Sequence, residues 1–290
     1  MSLEKLGVSR RSLVIAAAAV ATVISLGLGA NAALNKISGD AKQAVSSIGG
    51  QAAGIEAAKP SRIALVIGNS RYPDANAPLV QPINDARALT AALRRDGFEV
   101  DVVEDANKED LRRAVDRLTS KVRRDSVVML FYGGYGMQAG RESYMIPVDA
   151  TIWKESDVRR HGTSIESVLG ALKDRGARAS LVVLDAARRN PYERRFRTYS
   201  HGLSPIDAPQ NALILSSATP GKVVVDSRTE NSMLVGELLK NMSTQGLGAE
   251  QIFTRTRIAV SRNSDGQQVP TVSSSLIEEI RLGAVEKAGS

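Results

Sequence analysis

The residue types that could support catalysis or binding stand just after two apolar runs of this 290-residue sequence. The first is the segment GGYG at residues 133–136, and the second is the segment DAAR at residues 185–188. An aspartate can hold a cation and an arginine can hold an anion. Tyrosine, with an ordinary pKa of about 10, is a poor base at neutral pH, so Tyr135 is not a good candidate for that role. Ala187 offers only a methyl group, and no covalent intermediate can form on it.

The amino-acid composition excludes several classes of chemistry. The chain contains no cysteine, which rules out disulfides, thiolate metal sites and a cysteine nucleophile. Its two histidines, His161 and His201, are too few for a histidine-based metal site, and we expect both in surface loops. Neither a Gly-x-Ser-x-Gly motif nor a glycine-rich nucleotide-binding motif occurs, so the sequence predicts no metal and no other cofactor.

Short apolar runs alternate with amphipathic segments from residue 61 onward, which predicts an α/β fold with a mostly parallel central sheet and helices on both faces. Because the carboxyl ends of parallel strands meet at one edge of the sheet, we expect residues 133–136 and 185–188 to line one crevice. The predicted strands are residues 63–67, 98–103, 127–132, 181–184 and 212–215. The predicted helices run from a cap at Asn84 to Gly97, from a cap at Asn107 to Val122, and over residues 164–173, 231–241 and 250–260.

Eight stretches of the sequence carry a family resemblance through their order and spacing. They are ALVIGNSRY from residue 64, NDARAL from 84, GFEV from 97, LFYGGYGMQ from 130, YMIPVDA from 144, VVLDAARRNPY from 182, GLSPIDAP from 202 and SATPG from 217. Together they resemble the caspase-like peptidases of the C14 type, in particular the bacterial metacaspases. The resemblance implies a caspase-like fold and a cysteine-type endopeptidase ancestry.

The same resemblance implies that the catalytic dyad is missing. In this family a histidine follows Tyr-x-Gly, and the cysteine follows Leu-Asp-Ala about 50 residues later. The matching positions here are Tyr135 and Ala187, 52 residues apart. The sequence therefore indicates a pseudopeptidase in which the surroundings of the dyad remain. Gly134 and Gly136, which flank the tyrosine, permit a tight turn after the strand.

The resemblance also implies an acidic pocket for a basic side chain. Asp185 occupies the pocket position, although it could instead cap the following turn. Asp226, in VVVDS, is a second acidic candidate from a neighbouring loop. Arg188 begins a basic run that either binds an acidic or phosphate-bearing surface or is simply solvated. That run also contains Arg189, Arg194, Arg195 and Arg197, and a second basic series along residues 112–124 suits a solvated helix face.

The first 32 residues have the pattern of an export signal. Three basic residues precede an uncharged run at residues 12–29, and the tripeptide ANA at 30–32 offers small residues for cleavage. The paired arginines resemble a twin-arginine signal. Residues 13–34 are also long enough to be an uncleaved membrane anchor. We therefore expect a leader or anchor at 1–32, a flexible Ala/Gly/Ser-rich spacer at 33–60 and a caspase-like domain at 61–285, in the periplasm or outside the cell.

The favoured hypothesis is an exported pseudopeptidase that acts by binding a protein or a peptide, one with a basic side chain in the cleft. It could also form a homodimer, or pair with an active relative as a heterodimer. The alternative is an active endopeptidase with relocated chemistry, for example on a serine near the cleft. The net charge of +7 leaves nucleic acid as a weaker partner class, because aromatic residues are not interleaved with the basic runs.

Overall fold

The computed structural model describes residues 61–73, 78–192, 202–224 and 229–283, and it confirms the predicted α/β fold. The strands are β1 Arg62–Gly68, β2 Glu99–Glu104, β3 Val127–Gly133, β4 Gly136–Ala139, β5 Glu142–Met145, β6 Thr163–Ser164, β7 Ala179–Asp185, β8 Ala212–Ser216 and β9 Thr271–Ser274. The helices are α1 Pro82–Arg95, α2 Lys108–Lys121, α3 Glu155–His161, α4 Ile165–Asp174, α5 Met233–Met242 and α6 Ala249–Asn263. Among the described residues, no helix is both long and apolar enough to cross a membrane.

The central sheet has the strand order β2-β1-β3-β7-β8-β9. Its first five strands pair in parallel, and β9 pairs antiparallel with β8 at one edge. Strands β4, β5 and β6 form a separate small antiparallel sheet. The parallel strands therefore all present their carboxyl ends, where ligands bind in such sheets, along the same edge.

Side chains along each central strand alternate between the two faces of the sheet, and each face contributes to one of two hydrophobic cores. In β1, Ala64 and Val66 face the core shared with α1, α5 and α6, whereas Ile63, Leu65 and Ile67 face the core shared with α2 and α4. This burial on both faces explains why the strands are continuous apolar runs. A third cluster of apolar side chains lies between the small sheet, α3 and the loop that follows β1.

The residues at the starts of α1 and α2 explain where these two helices begin. The Asn107 side chain accepts a hydrogen bond from the amide of Asp110, at 2.8 Å, as predicted for the start of α2. Asn84 is not a cap, and that prediction was wrong. Helix α1 begins two residues earlier, at Pro82, because proline suits the first turn, where its missing N–H has no partner to lose.

The basic series at residues 112–124 is largely solvated, as predicted. Arg112 and Arg113 on α2 form exposed ion pairs with acidic neighbours three or four residues away on the same helix. Ion pairs of this kind contribute little to stability. This face of α2 is therefore an ordinary hydrated helix surface.

Candidate functional site

The register of the central sheet brings the two dyad positions to neighbouring strand ends. Gly133 at the end of β3 pairs with Asp185 at the end of β7. Beyond the strands, the amide of Gly136 donates to the carbonyl oxygen of Ala186, at 2.9 Å. Tyr135 and Ala187 are the sequence neighbours of these two bonded residues, so the structure places them in one cluster at the carboxyl edge of the sheet.

The two glycines around Tyr135 are required by close approach. A Cβ atom on Gly134 would lie 2.6 Å from the hydroxyl oxygen of Tyr72. A Cβ atom on Gly136 would lie 2.8 Å from the carbonyl oxygen of Ala186. Contacts below 3.0 Å do not occur for real Cβ atoms, so these glycines allow the ends of β3 and β7 to pack against each other.

Tyr135 is packed into a buried aromatic cluster. Its side chain is 5% exposed, and its ring meets that of Tyr72 edge-on with a centroid distance of 4.7 Å. The Tyr135 amide donates to the Tyr72 hydroxyl, at 3.0 Å, and the Tyr132 hydroxyl lies 2.9 Å from the Tyr135 carbonyl oxygen. Burial raises the pKa values of Tyr72 and Tyr132 above the ordinary tyrosine value, so both remain protonated hydrogen-bonding groups at neutral pH. The ring of Tyr135 is therefore packed in the interior and is largely closed to solvent.

Ala187 is also closed off, and the backbone donors around it are already used. The residue is 2% exposed, and its amide lies 3.4 Å from the Ser217 hydroxyl oxygen, to which it donates. The Gly136 amide is likewise engaged, since it donates to Ala186. A substrate oxyanion needs free N–H groups pointing at it. Neither of these two amides is available without a rearrangement.

Ser217 shows no sign of activation as a nucleophile within the described residues. Ser217 is the serine whose hydroxyl approaches Ala187, and it is completely buried. Its hydroxyl group accepts the Ala187 amide, and no basic side chain within the described residues hydrogen-bonds to it. Activation of a serine requires an adjacent general base.

Asp185 and Arg188 form a buried ion pair beside the dyad positions. Asp185 is 1% exposed and Arg188 is 3% exposed. Arg188 Nη2 lies 3.7 Å from Asp185 Oδ2, while Arg188 Nη1 donates to the carbonyl oxygens of Gly134, at 3.0 Å, and Asp185. Asp185 does not cap the following turn, because both of its carboxylate oxygens lack hydrogen bonds within the described residues. Arg188, predicted as part of a basic binding or solvated run, is an interior residue, because its guanidinium pairs with this carboxylate.

Asp85 is a member of this site that the sequence analysis did not single out. It lies in the first turn of α1, completely buried, and its Oδ1 accepts hydrogen bonds from the Asn231 side chain and the Ser232 amide, both at 2.9 Å. Burial, followed by repulsion from Asp185, raises the pKa of Asp85 to about 7. Its position four residues before the buried Leu89 puts it on the apolar stripe of α1, a pattern that could have marked it as buried.

The remaining predicted residues do not join this cluster. Asp226 and His201 lie outside the described residues, as do the other basic-run members Arg194, Arg195 and Arg197. His161 was expected in a loop but is the last residue of α3, which ends at a C-cap at Gly162. No group of three potential metal-ligating side chains occurs within the described ranges.

The sequence model of the caspase-domain family matches residues 61–280 of the chain. The chain belongs to the caspase-domain family. Its sheet, flanking helices and paired strand ends are those of a caspase domain, and the family assignment agrees with the resemblance carried by the sequence motifs.

Two curated relatives share part of this caspase domain. The human mucosa-associated lymphoid tissue lymphoma translocation protein 1 is 30% identical over 136 residues, which are 46% of this chain and 16% of the human protein. Its mouse homolog is 29% identical over the same length and the same shares. The chain thus matches only about a sixth of the length of these relatives.

Proposed function

We propose that this caspase-domain protein has no peptidase activity and acts by binding a protein or peptide. The observation that carries the proposal is the burial of both Tyr135 and Ala187, next to the bonded residues Gly136 and Ala186 at the carboxyl edge of the sheet. Cysteine-type peptide hydrolysis requires a thiolate, a base and free oxyanion donors. The nucleophile is missing, the base is replaced by a packed tyrosine ring, and the amides of Gly136 and Ala187 are engaged.

The proposed ligand is a segment with a basic side chain that enters the pocket of Asp185. Asp85 Oδ2 and both carboxylate oxygens of Asp185 are buried without a hydrogen bond within the described residues. A guanidinium carries five donors and can bind such oxygens in a bidentate manner. A bound arginine would satisfy acceptors that the described residues leave without a donor.

The proposed setting is outside the cytoplasm, with residues 1–32 serving as the export signal or anchor. Asp226, which lies outside the described residues, remains a further acidic candidate from the sequence. Pairing through β9 is the proposed route to a homodimer or to a heterodimer with an active relative. In the described part of the chain, β9 pairs with β8 on one side and forms the edge of the central sheet. A strand at an edge can extend the sheet into a second molecule.

Two assays test this function. Purified full-length protein is incubated with fluorogenic peptides that carry Arg, Lys or Asp before the scissile bond, and we expect no cleavage. Binding is measured with an acetylated, amidated peptide containing one arginine, and the control peptide carries citrulline, which keeps the shape without the charge. We expect binding of the arginine peptide, and a loss of at least tenfold in the Asp185→Asn variant. Equal binding of the two peptides would contradict the proposed pocket.

The relocated-hydrolase alternative has its own assay. A serine-directed fluorophosphonate probe labels an activated serine covalently, and we expect no label on the folded protein because Ser217 is buried without a basic partner. Stoichiometric labelling would instead support a serine peptidase.

A further inference from the structure

Arg188 is buried beside Asp185, the residue of the proposed pocket. Its side chain is 4% exposed, although it follows directly after the position that corresponds to the catalytic cysteine. Its guanidinium reaches back to the ends of both dyad strands, through the carbonyl oxygens of Gly134 and Asp185. The next residue, Arg189, is exposed, whereas Asn190 after it is buried.

The fit between Arg188 and the acidic pocket is incomplete. The contact from Arg188 Nη2 to Asp185 Oδ2 is 3.7 Å long, which is an ion pair but not a hydrogen bond. Arg188 Nη1 donates to backbone carbonyls instead, and the Asp185 carboxylate and Asp85 Oδ2 receive no donor within the described residues. Arg188 therefore supplies charge beside Asp185 without forming a bidentate contact with that carboxylate.

We propose that Arg188 is an internal competitor for the acidic pocket, and that a partner binds by exchanging its own arginine or lysine for the Arg188 guanidinium. This inference rests on the proposed function, because it assumes that the pocket receives a basic side chain. The exchange keeps one cation beside Asp185 in both states, so no buried carboxylate is left without a counter-charge. An incoming guanidinium that is free to orient can donate to the Asp185 oxygens, which accept no hydrogen bond within the described residues.

While Arg188 occupies the pocket, a partner cannot bind there. The apparent affinity of the partner is therefore its intrinsic affinity multiplied by the fraction of protein in which the pocket is free. Removal of Arg188 should therefore strengthen binding. A different role, in which Arg188 only ties the ends of β3 and β7 together through Gly134 and Asp185, predicts the opposite, because the pocket would lose order.

The test uses the full-length protein and the arginine and citrulline peptides, with binding measured by fluorescence anisotropy. Arg188→Gln removes the guanidinium, and Arg189→Gln is the matched control because it removes the same charge from the exposed neighbour. Arg188→Lys, which keeps a cation but presents a different donor geometry, serves as the second variant if Arg188→Gln does not fold. We expect Arg188→Gln to bind the arginine peptide at least tenfold more tightly than the parent, Arg188→Lys to bind it about threefold more tightly, and Arg189→Gln to match the parent.

The outcomes separate this inference from the function on which it rests. A folded Arg188 variant that binds more tightly supports the inference, even where binding by the parent is too weak to measure. If the parent binds the arginine peptide and the folded Arg188 variants bind it equally well or more weakly, the inference is wrong and the proposed function stands. Absence of arginine-dependent binding in the parent and in every folded variant overturns both.

Discussion

Asp85 on α1 and Asp185 at the end of β7 are buried carboxylates close enough to repel each other. Burial is the larger cause and the charge of Asp185 the second, and together they raise the pKa of Asp85 to about 7. The interior of the caspase domain thus contains two acidic residues and one neighbouring arginine. In the proposed function these residues do not take part in peptide hydrolysis. The arrangement favours a pocket kept for binding.

The contribution of Asp85 to the stability of the protein should fall as the pH rises from about 4 to about 7. An acid whose pKa is higher in the folded than in the unfolded state binds its proton more tightly when folded, so its protonation stabilises the fold in that interval. The expected loss is at most about 1.4 kcal/mol per pH unit for one such group. Urea unfolding of the parent and of Asp85→Asn at pH 5 and pH 8 measures it.

The asparagine variant can still accept the hydrogen bonds from Asn231 and Ser232, so the comparison isolates the charge. The free energy of unfolding of Asp85→Asn should exceed that of the parent by more at pH 8 than at pH 5. Asp116→Asn, on the exposed face of α2, should show little such change. The same stability difference at both pH values would mean that Asp85 titrates as an ordinary carboxylate.

Breaking the buried pair of Asp185 and Arg188 should destabilise the fold strongly. Loss of one partner leaves an uncompensated interior charge, which costs about 3–5 kcal/mol. Each of Asp185→Asn and Arg188→Gln should lower the free energy of unfolding by roughly this amount, and the double variant by less than the sum of the two. Additive losses in urea unfolding would show that the two side chains do not interact.

The glycines beside Tyr135 should tolerate no side chain. Gly136→Ala places a Cβ atom against Ala186 and Leu203, and overpacking of this kind costs about 1–3 kcal/mol. Gly170→Ala is the matched control, because a Cβ atom at that position on α4 meets nothing within 4 Å. The control should be neutral or more stable by about 0.5–1 kcal/mol, since alanine favours helix. Equal thermal unfolding of the two variants would contradict the close packing of the strand ends.

Much of the α/β framework could be predicted because its strands are apolar on both faces. The small sheet of β4 to β6 and the edge strand β9 were missed, since they are short and contain many polar or glycine residues, which carry no clear period. Helix α3 was missed for the same reason, being only seven residues long. Local pattern is weakest where strands are short and pairing is decided by tertiary contacts.

The candidate site was only partly readable from sequence. The resemblance to the caspase-like peptidases pointed to Tyr135, Ala187 and Asp185, and the apolar runs before them placed these residues after strand ends. Arg188 could not be distinguished from its basic neighbours, since its burial depends on a carbonyl from the distant Gly134. Side-chain direction in a loop has no periodicity from which it could be predicted.

Restoring the dyad side chains should not restore peptidase activity. The double variant Tyr135→His/Ala187→Cys supplies a thiol and an imidazole, but it leaves the amides of Gly136 and Ala187 donating within the protein. We expect the folded variant to show no turnover of the arginine peptide. Measurable cleavage after arginine would show that the backbone of the site remains competent and that two side chains alone separate this caspase domain from an active one.

The most direct measurement of the central claim is peptidase activity of the unmodified full-length protein, assayed against Arg-, Lys- and Asp-containing peptides before and after a second purification. We expect no product above the level of a variant in which residues 185–189 are scrambled. Cleavage that persists through repurification and disappears in that variant would show that this site hydrolyses peptides, and it would contradict the account.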